Sequence, residues 1–125
     1  MSGSSSYVLD TNIILQLLKG DRVLADIINN KALYVSFITE MELLSYHKLL
    51  PEEEIQIRSL LNDCYVIEMN HPLKLSAISI RKNNKMKLPD SIIAATSEHL
   101  NIPLLTSDVE FNKLNSLQIL LYNKS

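Results

Sequence analysis

An α/β domain with a central, mostly parallel sheet is the fold class this chain predicts. Three observations predict it. Short runs of β-formers alternate with longer segments of helical apolar spacing. Turn and cap residues separate the two kinds of segment. Acidic residues stand where strands or loops hand over to helices: Asp10 in VLDTN, Glu42 in ITEMEL, Asp90 in LPDSIIAA and Asp108 in LLTSD.

Residues 7–9 read as a first short strand. Residues 12–19 follow with Ile13, Ile14, Leu17 and Leu18 at helical spacing. Gly20 ends that helix, and Asp21 caps a second over 22–29, striped by Val23, Leu24, Ile27 and Ile28. Residues 33–35 make the second strand. A helix is expected over 38–50. Pro51 opens the next, because the missing proline N–H costs nothing in a first turn. Glu52, Glu53 and Glu54 sit in that turn, where the helix dipole favours negative charge, and read as capping and solubility residues. Residues 65–67 give a third strand, 72–81 a helix, and the polar stretch 82–87 a break. Pro89 starts a helix through residue 100, in which Ala94 and Ala95 permit close packing on a sheet. Residues 104–105 form a fourth strand, 109–114 a short helix and 117–121 a last strand.

The 125 residues suit one domain, expected over 7–123 after a flexible leader or expression scar, MSGSSS, at 1–6. Hydrophobic residues make up 46% and charged residues 21%, the balance of a globular chain. A formal net charge of −2 excludes non-specific polyanion binding by the whole surface, so a nucleic-acid site must be local or use metal. The single cysteine, Cys64, excludes an intramolecular disulfide and points to the reducing cytoplasm. It lies in the apolar run CYVI and reads as an inert buried thiol. Apolar runs are too short for a membrane span, and no signal peptide is seen. Two glycines leave no GxGxxG, P-loop or GxSxG elbow. His47, His71 and His99 lack metal-ligand spacing.

The four acids therefore carry the chemistry. Asp10 and Asp90 have a bland reading as helix-start residues, and Asp108 as a turn residue. Glu42, flanked by Met41, Leu43 and Leu44, is expected in apolar surroundings and needs a partner or metal unless it faces solvent. Repetition gives the other reading: three of the four lie immediately after apolar strands or at the start of apolar helices. Open α/β sheets gather ligands beyond the carboxyl ends of parallel strands, and converging carboxylates call for a hard divalent cation, Mg²⁺ or Mn²⁺. From spacing alone this remains a possible metal site.

Four segments add a resemblance: YVLDTNIIL at 7–15, VSFITEMELL at 35–44, LPDSIIAATS at 88–97 and PLLTSDVEF at 103–111. In this order the chain resembles the PIN-domain family, and within it the VapC-type ribonuclease toxins of bacterial toxin–antitoxin pairs. The resemblance implies a three-layer α/β/α domain with about five strands. It also implies a metal-dependent endoribonuclease using one or two Mg²⁺ or Mn²⁺ ions. The family's acids fall on Asp10, Glu42, Asp90 and Asp108, expected as catalytic and metal-binding residues. Glu40 is the second choice for the second acid, and Glu110 competes with Asp108 for the fourth. Asn12 and Thr106 match supporting positions. The family's usual partners are a cognate antitoxin and a second copy, a homodimer, and apolar surface on helices 12–29 and 38–61 is available for either. Arg81, Lys82, Lys85 and Lys87 form the densest basic stretch and are expected to hold the RNA backbone. A catalytically weak module that binds RNA or protein is the alternative. Relatives often carry glycine after the helix of ITEMELLSY; this chain does not, which bears on the turn there.

Overall fold

In a computed structural model, residues 5–123 are described. Strands β1 (Ser6–Leu9), β2 (Ala32–Ser36), β3 (Tyr65–Ile67), β4 (Leu104–Thr106) and β5 (Ile119–Leu121) form one sheet in the order β3-β2-β1-β4-β5. All four pairings are parallel. Of the expected leader, residues 1–4 lie outside the described part. Ser6 already belongs to β1, and the Ser5 carbonyl accepts the Ala32 N–H at 2.9 Å.

Among the described residues six helices connect the strands: α1 (Thr11–Leu18), α2 (Arg22–Ile28), α3 (Phe37–Leu44), α4 (Pro51–Asn62), α5 (His71–Asn84) and α6 (Leu88–Leu100); a 3₁₀ segment, Val109–Lys113, leads towards β5. Because side chains alternate along a strand, each strand feeds both faces of the sheet. Tyr7, Leu9, Leu33, Val35 and Leu105 point to one face, where they bury Ile13 and Ile14 of α1, Leu24 of α2, Leu43 of α3, and Ile57 and Leu61 of α4. Val8 and Leu104 point to the other, against Leu73, Ala77 and Ile80 of α5, the α6 run from Ile92 to Ala95, and Phe111. The result is the expected α/β/α sandwich. Each fully buried aliphatic side chain contributes about 1.5–3 kcal/mol to holding it.

Two helices end elsewhere than their sequence pattern predicts. The single helix expected over 38–50 stops at Leu44, and a turn at His47–Lys48 follows. Pro51 forces the preceding Leu50 into extended backbone (φ −81°, ψ 152°), so a helix cannot run through it. Glu53 then accepts the Leu50 N–H at 2.9 Å and completes the start of α4. In the absence of glycine, α3 closes on Ser45 at φ −98° rather than on a left-handed residue. Conversely, α5 continues to Asn84 into the polar stretch where the sequence predicts a break. Lys85 ends it in the left-handed region at φ 52°.

The sheet order places the site. From β1 the chain winds outwards through β2 to β3, then returns to the other side of β1 for β4. Connections therefore diverge between β1 and β4, and the sheet opens there at its carboxyl edge, the place where open α/β sheets receive ligands. Asp10 follows β1 at this point; its N–H donates to the Leu105 carbonyl of β4 at 3.0 Å. On the far side of β4, wholly buried Phe111 pins the segment that begins at Asp108. Phe111→Ala should lower unfolding stability by about 3–5 kcal/mol in urea titration. A loss below about 1 kcal/mol would show that this anchor is not packed as described.

Candidate active site

Asp10 is only 4% exposed, although it is charged at neutral pH in an ordinary protein setting. Both its oxygens are occupied. Oδ1 accepts the Thr11 N–H at 2.8 Å, and Oδ2 accepts the Thr106 hydroxyl at 2.6 Å. Thr106 in turn accepts the Asp108 N–H at 3.0 Å, so one buried threonine joins the first acid to the fourth. Asp108 caps the 3₁₀ segment by accepting the Glu110 N–H at 2.9 Å. The loop carrying it is tied to α1 twice: Asn12 Oδ1 accepts the Ser107 N–H at 3.2 Å, and the Gln16 amide donates to Ser107 Oγ at 2.8 Å.

Asp90 enters from the first turn of α6, where Pro89 supplies the helix start. The rest of that helix is buried from Ser91 to Ser97, with Ser91 and Thr96 satisfying their hydroxyls on backbone carbonyls four residues back. Packing on both sides therefore fixes where Asp90 emerges. Glu42, on α3, is exposed and not in the apolar setting its neighbours predicted. Its Oε1 accepts the Thr11 hydroxyl at 2.8 Å.

Electrostatics join these groups into one crevice. Burial, above all, pushes the Asp10 carboxyl up to about 6; the Thr106 and Thr11 hydrogen bonds pull it down, and the charges of Asp90 and Asp108 raise it. Asp90 is also held above the usual carboxylate range, first by burial, then by Asp108, against a lowering influence from Lys87 and with smaller increments from Glu42 and Glu110. Burial rather than mutual repulsion leads, because Asp10 sits inside the sheet edge. Among the described residues the ion pairs are Arg58–Glu54 and Lys113–Glu110, so no cation closes on Asp10, Glu42, Asp90 or Asp108. Nor do three His, Cys, Asp or Glu side chains among those residues form a closed ligand set. The donors facing the crevice are carboxylate and hydroxyl oxygens, the chemistry that suits a hard divalent cation. A buried carboxylate without a counter-charge fits the same group.

The basic residues divide. Arg81 and Lys82 lie in the last turn of α5, Lys85 closes that helix, and Lys87 caps α6 beside Asp90. All four are exposed. Cys64 is half-buried with its thiol pushed up to about 11 by burial, an inert group as expected. Thr11, Gln16 and Thr39 have no part in the sequence reading. Their hydroxyls and amide carry no pattern of their own; only the fold shows that α1 faces both α3 and the loop after β4.

A groove of about 410 Å³ opens from the site along α1, α3 and α4. Thr11 and Glu42 line its end at the acids; Leu15, Leu18, Leu43, Tyr46, Leu49 and Ile57 make its apolar walls.

The PIN domain family matches residues 7–117. This chain belongs to the PIN-domain family. No curated protein matches the sequence. Among solved structures the PIN domain resembles a chain of VapBC-1 from nontypeable Haemophilus influenzae at 29% identity, with a TM-score of 0.80 over 93% of this chain and 97% of that one. It is also similar to a chain of a toxin–antitoxin complex from Klebsiella pneumoniae, at 26% identity and a TM-score of 0.77 over 89% and 94% of the two chains. VapBC2 from Rickettsia felis, bound to a DNA fragment from its promoter, shares the fold at 18% identity, with a TM-score of 0.84 over 94% and 99%. All three neighbours share the fold of this chain, and the Klebsiella pneumoniae chain belongs to a toxin–antitoxin complex. No helix among the described residues is long and apolar enough to cross a membrane.

Burial of Asp10 has a measurable pH signature. Its folded carboxyl, near 6, holds a proton more tightly than the ordinary carboxyl at 3.8. Its contribution to stability is therefore full below about pH 4 and is lost as pH rises through 6, a span worth about 3 kcal/mol. In chelator, wild type should lose about that much relative to Asp10→Asn between pH 4 and pH 7. A difference between the two proteins that stays constant across this range would contradict the burial described.

Proposed function

We propose that this PIN domain is a metal-dependent endoribonuclease, the toxin of a type II toxin–antitoxin pair acting in the cytoplasm. The observation that carries the proposal is the buried, uncompensated Asp10 between β1 and β4, with Asp90 and Asp108 directed at the same crevice. Asp10 and Asp90 would hold Mg²⁺ or Mn²⁺ directly, Glu42 directly or through water, and Asp108 would complete the first site or hold a second ion. Asp108 is preferred to Glu110 because its charge reaches both Asp10 and Asp90, while Glu110 is paired with Lys113 at 3.1 Å. Glu42 is preferred to Glu40 because Thr11 bonds it and its charge is felt at Asp90. The bound ion supplies a more acidic water and neutralises charge on the phosphodiester transition state.

The chain's own residues do the remaining work. Thr106 and the Thr11 N–H fix both Asp10 oxygens before substrate arrives, so little reorganisation remains. Asn12 supports the site indirectly, holding Ser107 and hence the loop of Asp108. Arg81, Lys82, Lys85 and Lys87 offset the acids' repulsion of phosphate and hold the RNA backbone beside Asp90. The apolar groove along α1, α3 and α4 is the proposed seat of the antitoxin, and α1 to α4 also supply the surface for a homodimer.

A panel of labelled RNAs tests the activity with Mg²⁺, Mn²⁺ or EDTA. Cleavage is expected with metal and should fall more than about 100-fold in Asp10→Asn/Asp90→Asn, since even a lost outer-shell partner costs about 10–100-fold. Folded wild type that binds metal yet cleaves nothing would favour the RNA- or protein-binding module instead. Millimolar Mn²⁺ should raise the Tm of wild type but not of the double variant; a Tm that stays put would sink the metal site. Charge reversal of the four basic residues to glutamate should weaken RNA binding while leaving the Tm within a few degrees. Unchanged affinity would remove that surface from the proposal.

A further inference from the structure

Thr11 bonds two acids with two different groups. Its backbone N–H donates to Asp10 Oδ1 at 2.8 Å. Its side-chain oxygen lies 2.8 Å from Glu42 Oε1 and 3.0 Å from Thr39 Oγ1. A hydroxyl has one proton, and an ionised carboxylate only accepts. The Thr11 proton therefore goes to Glu42, and the Thr11 oxygen accepts from Thr39. Thr39 is fully buried, so its hydroxyl has good reason to give its proton within the protein. The bonds form a directed relay, Thr39 to Thr11 to Glu42.

The relay has structural leverage. Thr39 and Glu42 stand one turn apart on α3, on the same helix face. Thr11 is the first residue of α1 and follows Asp10 directly. Glu42 is otherwise an exposed side chain with several rotatable bonds. We propose that Thr11 is a positioning residue: its hydroxyl, oriented by buried Thr39, turns the Glu42 carboxylate into the crevice while its N–H fixes Asp10. One residue thereby sets the relation between the first two acids. The inference rests on the metal-dependent nuclease reading and adds to it a residue outside the four acids.

The test compares Thr11→Val, which keeps the shape and loses the hydroxyl, with Thr11→Ser, which restores it. Mn²⁺ affinity is measured by calorimetry, and RNA cleavage in parallel. Thr11→Val should weaken Mn²⁺ binding about 10-fold, the usual cost of losing a group that orients a ligand. Thr11→Ser should match wild type. On a Glu42→Ala background, Thr11→Val should add no further loss, because the hydroxyl acts through Glu42. Wild-type affinity in Thr11→Val, or an equal loss on both backgrounds, would overturn the relay alone. Wild type that binds no Mn²⁺ would overturn the metal-dependent reading, and the relay with it. Should Thr11→Val fail to fold, Thr39→Val carries the test. It removes the orienting donor without touching either acid, and unchanged Mn²⁺ affinity there also overturns the proposal.

Discussion

A carboxylate buried at the point where the sheet divides is the constraint on which the other arrangements depend. Asp10 leaves β1 between the outward path to β2 and β3 and the returning β4. Its position inside the sheet edge raises the energy of its charged form. The surrounding atoms answer with hydrogen bonds rather than with a cation. The Thr106 hydroxyl and the Thr11 N–H each take one oxygen, and both belong to elements that the sheet itself fixes. Such bonds lower the cost of the charge without removing it. The remaining cost makes the crevice receptive to a divalent ion, since an ion that binds the folded state also stabilises it.

Helix α1 converts this local problem into an arrangement of separate chain segments. On its first two turns, Thr11 reaches α3, while Asn12 and Gln16 reach Ser107 after β4. Its inner face, Ile13 and Ile14, is wholly buried against the sheet. The polar groups are thus carried on a helix whose position is decided by apolar packing. Precision at the acids follows from a core that contains none of them, and short bonds at the rim transmit that precision to Glu42 and Asp108.

Much of this could be read from residue order. The alternation of strands and helices, the placement of Asp10 and Asp90 at element starts, and the cap of α2 by Asp21 all follow from local rules. The errors were also local in origin. Helical spacing continues past Leu44, but the constraint that Pro51 imposes on Leu50 outweighs it. The polar stretch after Arg81 lacks an apolar stripe, yet Asn84 Nδ2 bonds back to the Ile80 carbonyl at 3.0 Å and α5 continues. The chain neighbours of Glu42 suggest apolar surroundings, whereas α3 presents it outwards while burying Thr39 and Leu43. The relay through Thr11 and Thr39 was not legible, because residues 28 apart acquire a relation only when the sheet brings α1 and α3 together.

The groove and the acids are not independent features, because Thr11 and Glu42 belong to both. The apolar walls offer burial of hydrophobic surface, and the acidic end offers charge. A chain segment filling this groove would meet the Thr11–Glu42 pair, since both residues line it. Under the nuclease reading, occupation of the groove and readiness of the site then compete for the same two side chains. A ligand can shift a site only through contacts that differ between its two states, and Thr11–Glu42 is the contact in this fold that could supply that difference. Inhibition by a partner would therefore need no long-range rearrangement: the same short bonds that align the acids would be the ones the partner displaces.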